Sequence, residues 1–476
     1  MLAKKLFLNT SIYSIGIILP QAVGFILLPI YTRYLSTADF GIVSSMHVLK
    51  AILAAFLTLS LERSIIRLYW DYKTENTKRD FLGTVTISSI VVSVVMVSLL
   101  FLFRNTVGQI YKSIDFSPYF VYAILTGFLF IFSHVPKMYL ILKEKAGIFV
   151  LLTSLELAAN IFFILWFVIG KKEGAAGYLK GQMLGVAVLL PLYVYISLKA
   201  INFKFHFSPF KSSLFFSLPI IPTILSAWVL NLSDRIFLER YFTLEDVGIY
   251  SLGYKIAGLI LIFSGAFNLA YSPIFFKLAS SDDQSNSKNT LFKYNYIYLQ
   301  AVIIICFAIS FFAKEIITLI FDSKYHPAHF FVPLIALSYL FVQADGVTGF
   351  FFQQSRKMKQ NMVKGLLVAG ANIILNFLLI PRFGAFGAAY ATILSMGLCF
   401  FASYIYTKRY CYFIPFNWKY IIPLVGVLVS IVAFFQYGLV LDVLMSFIMK
   451  IIVLGIIGGI FLKKYYPQLK ALLVKS

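Results

Sequence analysis

Six charged residues are read inside apolar stretches long enough to cross a bilayer, and they are where chemistry is to be sought first. Lys50, Lys180, Lys255 and Lys450 are the cations read there; Glu156 and Asp345 are the carboxylates. A charge at the centre of a membrane helix costs about 2.5–3.5 kcal/mol on insertion scales, so each should face a water-filled cavity or a partner. The carboxylates suit binding of a proton or sodium ion, or plain neutralisation of the lysines. Lys50 and Lys255 lie at comparable depth and suit the holding of an anion. Lys180 and Lys450 read as snorkelling or packing residues. Arg63 and Arg67, one turn apart in LERSIIRLYWD, stand where an apolar run ends and can meet an anion at the membrane mouth or simply mark the inner face. Arg33, Asp234, Arg235 and Arg240 lie at the other ends of such runs and suit either a gate or hairpin capping. No GxxxxGK[ST] phosphate loop and no HExxH appear, so neither a nucleotide nor a metal is expected as cofactor. Cys306, Cys399 and Cys411 form no CxxC pair and read as small apolar residues.

The elements that position these groups follow from composition. The chain has 476 residues, 60% of them hydrophobic and only 13% charged. Soluble domains carry about 25% charged residues; this one lacks the polar surface to wet itself. About fourteen apolar runs of roughly 20 residues are predicted, enough for helices to span a ~30 Å core. Among them are a second span at 41–61, a fourth at 118–142, a fifth at 148–169, an eighth at 247–272, a tenth at 330–352, an eleventh at 361–380 and a fourteenth at 441–462. Runs such as VTISSIVVSVVMVSLLFLF do not alternate, which excludes a membrane β-barrel. The expected class is therefore all-α, a polytopic membrane protein. The net charge of +22 gathers in one set of alternate loops, which puts both termini in the cytoplasm and needs no nucleic acid to explain it.

The chain also repeats itself. RYLSTADFGIVS at 33–44 aligns with RYFTLEDVGIYS at 240–251 at an offset of 207, identical at six of twelve positions. Each copy joins two spans, and its acidic residue, Asp39 or Asp246, suits a helix N-terminus. Gly174-Ala175-Ala176-Gly177 matches Gly384-Ala385-Phe386-Gly387 at an offset of 210, and Asn160 matches Asn372 at 212. Two pseudo-symmetric six-helix lobes are expected, residues 1–200 and 201–411, followed by two further helices in 412–476. Repeats with an even number of spans share orientation, so their two-fold runs along the membrane normal and the lobes can rock in alternating access. Pro20 in the first span and Pro219 and Pro222 in the seventh predict matched breaks. Asn372 and Asn376, one turn apart, are expected to hydrogen-bond between helices.

SDRIFLERYFTLEDVGIYSLGYKIAGL (233–259), NIILNFLLIPRFGAFGAAYATILS (372–395) and PIYTRYLSTADFG (29–41) together resemble the polysaccharide-transporter branch of the multidrug, oligosaccharidyl-lipid and polysaccharide exporter superfamily, above all its O-antigen and capsule-unit flippases. That resemblance implies movement of a polyprenyl-pyrophosphate-linked oligosaccharide across a bacterial inner membrane, from cytoplasmic to periplasmic leaflet, for lipopolysaccharide or capsule assembly alongside a polysaccharide polymerase. It implies no enzyme activity. Lys50, Lys255, Arg63 and Arg67 would then meet the pyrophosphate, with coupling to H+ or Na+ at Glu156 or Asp345. Within the same superfamily a cation-coupled drug exporter and a lipid II flippase are the rival readings. From another class, a membrane-embedded polysaccharide-processing enzyme would use His134 as its base.

Overall fold

The computed structural model describes residues 16, 18–281, 283–434, 445, 447–456 and 459, and among them the ordered backbone is helical throughout. Ten of the described helices are long and apolar enough to cross a membrane, and two shorter apolar helices, Trp418–Ala433 and Phe447–Ile456, follow. The beginning of the first expected span and both ends of the fourteenth lie outside the described residues. The chain divides into two compact units, Met1–Gly248 and Ile249–Ser476. The first takes in the Phe207–Leu232 span, which the sequence places at the start of the second lobe.

In the first unit, α1 (Thr37–Leu57) begins where the repeat motif predicts a helix start. The Ser36 hydroxyl accepts from the Asp39 N–H at 3.0 Å while Asp39 accepts from the Ser36 N–H at 3.1 Å, a reciprocal cap that satisfies two otherwise orphaned donors. The helix stops short of residue 61, because Leu59 and Ser60 turn with positive φ and the chain restarts as Glu62–Leu68. There follow α2 (Glu75–Leu102), α3 (Val121–Leu142), α4 (Ala146–Leu165), α5 (Gly174–Ala187), α6 (Leu190–Ala200), α7 (Ile221–Leu232), α8 (Asp234–Tyr241) and the start of α9 (Leu244–Ala257), whose residues from Ile249 on belong to the second unit. The break ahead of α7 falls at Leu218–Ile220, around Pro219 as expected. That in the first span does not fall at Pro20, through which helical backbone continues. It lies at Leu27, ahead of Pro29, because proline is accommodated at the first turn of a new helix.

The second copy of the motif caps α9 as the first caps α1: Thr243 and Asp246 exchange N–H bonds with each other's side chains at 3.2 Å. The two helix starts also meet. A methyl added to Gly41 would lie 2.0 Å from the Leu244 carbonyl oxygen, and one added to Gly248 would lie 2.0 Å from that of Thr37. Both pairings, Thr37 with Leu244 and Gly41 with Gly248, span the repeat offset of 207. The contact is therefore two-fold in kind, and only glycine permits it.

The second unit contains α10 (Ile260–Ala279), α11 (Gln284–Phe311), α12 (Ala313–Ile320), α13 (Val332–Gln354), α14 (Met358–Tyr410) and α15 (Trp418–Ala433). The eleventh and twelfth spans are the two limbs of α14, which folds at Gly384 with φ of 58°. Gly174, its repeat counterpart, has φ of 54°. Small residues hold both hairpins tightly together, since they let helix backbones approach where lipid offers no hydrophobic drive. Gly177, Gly181 and Gly185 of α5 press on Phe167, Ile164 and Asn160, and Gly387 presses on Leu379.

Candidate functional site

A cavity of about 250 Å³ opens inside the first unit, among α1, α3, α4 and α5. Its polar lining is Lys50, Thr58, Thr126, His134, Glu156, Asn160 and Gln182, set against an apolar wall. The Lys50 ammonium donates to the Gln182 side-chain carbonyl. Asn160 donates to the Glu156 main-chain oxygen at 2.8 Å, and the ring Nδ1 of His134 is buried without a hydrogen-bond partner among the described residues. Groups of this kind inside membrane helices can hold a polar or anionic part of a ligand while the wall meets its apolar part.

Glu156 is not a bare carboxylate. Lys137 of α3 reaches it at 2.7 Å, the two side chains being 14% and 13% exposed, and the buried Tyr193 hydroxyl of α6 donates to the same oxygen. The Lys137 ammonium also lies 4.8 Å from the Phe130 ring centre, a cation–π contact that strengthens when water is excluded. Asp345 has the same fate in the second unit. Lys364 approaches its two oxygens at 2.9 and 3.1 Å, and Ser403 both donates to Asp345 and accepts from Lys364.

The counting of cations within spans is thus corrected: Lys137 and Lys364 lie inside the fourth and eleventh as well, and they neutralise the two carboxylates. A signal for them exists in the sequence. Lys137 precedes Glu156 by 19 residues, and Asp345 precedes Lys364 by 19. Tyr193 and Ser403, the third members, are 210 apart, the offset of the Gly-Ala-x-Gly loops. Each unit therefore holds a lysine, a carboxylate and a hydroxyl at matching places, with lysine and carboxylate exchanged between helices.

The other expected site residues divide. Lys255 is exposed on α9 and lines no part of this cavity. Arg63 is exposed, and Arg67 pairs with Asp71 at 2.8 Å on the surface. Arg33 and Arg240 are exposed, whereas Asp234 and Arg235 are buried and bonded to each other at 2.7 Å. Beside them the buried Glu239 accepts the Lys112 N–H at 2.9 Å and that of Ser113, so this cluster ties a loop to α8. Lys180 meets Glu173 at 3.2 Å and the Phe167 ring at 4.3 Å. Lys450 is buried against Glu315 at 2.9 Å, both 1% exposed, a pair the sequence reading missed. Asn372 donates to Ser395 at 2.9 Å, joining the limbs of α14 as expected, whereas Asn376 donates to Asn372 at 3.0 Å within the first limb. Among the described residues no three His, Cys, Asp or Glu side chains gather into a metal-ligand set.

Known proteins place this arrangement. Residues 6–279 match the model of a family described as polysaccharide biosynthesis protein, and residues 219–378 match the MatE family. Lsg locus protein 1 of Haemophilus influenzae is 22% identical over 279 residues, 57% of this chain and 66% of that protein. A protein of Haloferax volcanii named as a probable low-salt glycan biosynthesis flippase, Agl15, is 24% identical over 202 residues, 42% of each chain. The chain thus spans at most about two thirds of these two relatives. In fold it is similar to lipid II flippase MurJ in an inward closed conformation, with a TM-score of 0.75 and 15% identity over 95% of this chain and 99% of that one. On the family match, which covers more than half of its length, this chain belongs to the polysaccharide biosynthesis protein family, within the multidrug, oligosaccharidyl-lipid and polysaccharide exporter superfamily of multi-pass membrane transporters and flippases.

Proposed function

We propose that this protein is a flippase, not an enzyme, and that it carries a polyprenyl-pyrophosphate-linked oligosaccharide from the cytoplasmic to the periplasmic leaflet of a bacterial inner membrane by alternating access. The product would feed O-antigen or capsule assembly, handed on to polymerase machinery. The observation that carries this reading is the Lys50 cavity: an ammonium, an imidazole, two amides, two hydroxyls and a carboxylate already neutralised by Lys137, lining a space within membrane helices. A pyrophosphate needs cationic and neutral donors, and a lipid-linked one needs them inside the bilayer. Lys255 and the paired arginines Arg63 and Arg67 would meet the headgroup elsewhere on its path, with Arg33, Asp234, Arg235 and Arg240 as outer gate. Coupling to H+ or Na+ would act through Glu156 or Asp345 by competition with their lysines, because protonation of either carboxylate releases an ammonium.

The test is a deletion strain in which lipid-linked glycans are identified by mass spectrometry and their leaflet is read by accessibility to an added glycosidase. A polyprenyl-linked oligosaccharide should accumulate on the cytoplasmic side. Complementation with Lys50→Arg should restore export largely, and Lys50→Gln should leave it about tenfold slower, the weight of one charge-assisted hydrogen bond. Normal export with Lys50→Gln at matched protein level would remove the cavity from the mechanism. Unchanged lipid-linked glycans in the deletion strain would remove the flippase reading itself.

A further inference from the structure

The second unit has a cavity beside its own ion pair, and the function proposed above uses the pair but assigns no ligand to the cavity. It measures about 510 Å³, larger than the Lys50 cavity, and is lined by Lys359, Gln360 and Lys364 from the first limb of α14, Tyr406 from the second and Phe352 from the end of α13. We propose that this cavity is a second phosphoryl-anion-binding site, which shares with the Lys50 cavity the repeat position held there by Glu156 and here by Lys364, and that its ligand competes with Asp345 for Lys364. The claim rests on the reading above for the identity of a physiological ligand, a pyrophosphate lipid; binding of the anion itself stands on geometry alone.

That geometry is specific. Lys359 is exposed and forms no ion pair among the described residues, so it offers three donors to an arriving anion. Lys357 stands at the rim over the Tyr406 and Tyr410 rings, 5.7 and 5.4 Å from their centres, and adds a further positive charge. Lys364 lies deeper, its side chain 13% exposed, with its three N–H groups committed to the two Asp345 oxygens and to Ser403. An anion held by Lys359 can gain Lys364 only by taking the place of Asp345 oxygens. Ammonium groups are compact charges suited to phosphoryl oxygens, the Gln360 amide and Tyr406 hydroxyl can complete the shell, and the Phe352 and Tyr406 rings give the apolar wall that a lipid-linked phosphate requires. The duplication is the independent support: lysine, carboxylate and hydroxyl recur at the same spacing in both units, each triad beside a cavity.

Competition gives an unusual signature, since removing a negative charge from a carboxylate must tighten binding while removing the lysines must weaken it. The full chain, purified into nanodiscs of neutral lipid, is titrated calorimetrically with farnesyl pyrophosphate in a Lys50→Gln background that weakens the first cavity. Asp345→Asn should bind about fivefold more tightly, and Lys359→Gln with Lys364→Gln about tenfold or more weakly. The neutral pair Asp345→Asn with Lys364→Gln keeps hydrogen bonding to Ser403 and guards against misfolding; it too should bind weakly. Competition by inorganic pyrophosphate supports a free-phosphate ligand class, and competition by phosphatidylglycerol vesicles alone supports a bilayer headgroup at the same site. If Lys50→Gln by itself removes all binding, the second site is overturned and the first cavity stands. If Asp345→Asn binds no more tightly than its parent, competition is overturned. If Lys50→Gln and every second-unit variant bind like wild type, both cavity assignments fall together.

Discussion

At the scale of single residues, the intramembrane charges of this protein come in bonded sets. Lys450 and Glu315 are the extreme case, each 1% exposed and bonded to the other at 2.9 Å, with Lys450 also donating to the Phe311 carbonyl at 2.7 Å. Breaking a buried pair on one side strands a charge and costs about 3–5 kcal/mol, whereas replacing both partners by neutral groups can be nearly free. Glu315→Gln should therefore lower the Tm of the detergent-purified protein by several degrees, and Glu315→Gln with Lys450→Met should regain most of that loss. A single variant that melts like wild type would show that the pair contributes nothing to folding. The sequence identified Glu156 and Asp345 as charges in need of partners, because the cost of burial is a property of the residue type, but it read the buried Lys450 as snorkelling or packing. It did not identify the partners, because Lys137 and Lys364, though inside predicted spans, bond across to a neighbouring helix whose rotation the sequence does not fix.

At the scale of helices, two devices set how closely elements pack: reciprocal caps at helix starts and small residues along facing helix stripes. Both were partly visible. The caps of α1 and α9 follow from Ser-x-x-Asp and Thr-x-x-Asp in the repeated loops, a local pattern that carries its own hydrogen bonds. The meeting of Gly41 with Leu244 and of Gly248 with Thr37 is not local, and no hydropathy pattern reveals it. Because an added methyl would lie 2.0 Å from a carbonyl oxygen in either direction, Gly41→Ala and Gly248→Ala should impair glycan export to similar degrees, by about tenfold or more, while a control at Gly24, which has open space around it, should have no effect. Export from complemented deletion cells, at matched protein levels, reads this directly. A Gly41→Ala variant with normal export would mean that the helix starts separate without consequence.

At the scale of the whole molecule, duplication with exchanged charge makes a further prediction. The fourth span carries lysine and the fifth glutamate in one unit; the tenth carries aspartate and the eleventh lysine in the other. If the bond itself matters to packing, then Lys137→Glu combined with Glu156→Lys should accumulate in membranes near the wild-type level, while Lys137→Glu alone, setting two carboxylates side by side, should fall severalfold. Quantitative immunoblotting of membranes measures both; equal loss in the single and double variants would show that polarity at these positions is fixed. The sequence by itself determined that the chain is a multi-pass helical membrane protein built from a duplicated unit, since hydrophobic run length, charge asymmetry and repeat offset are all written along one dimension. Only the tertiary structure decided which charges pair, which face a cavity and where two helix starts touch, because those depend on the rotational phase of each helix and on how closely its neighbours approach, and neither is fixed by the order of residues within any one span.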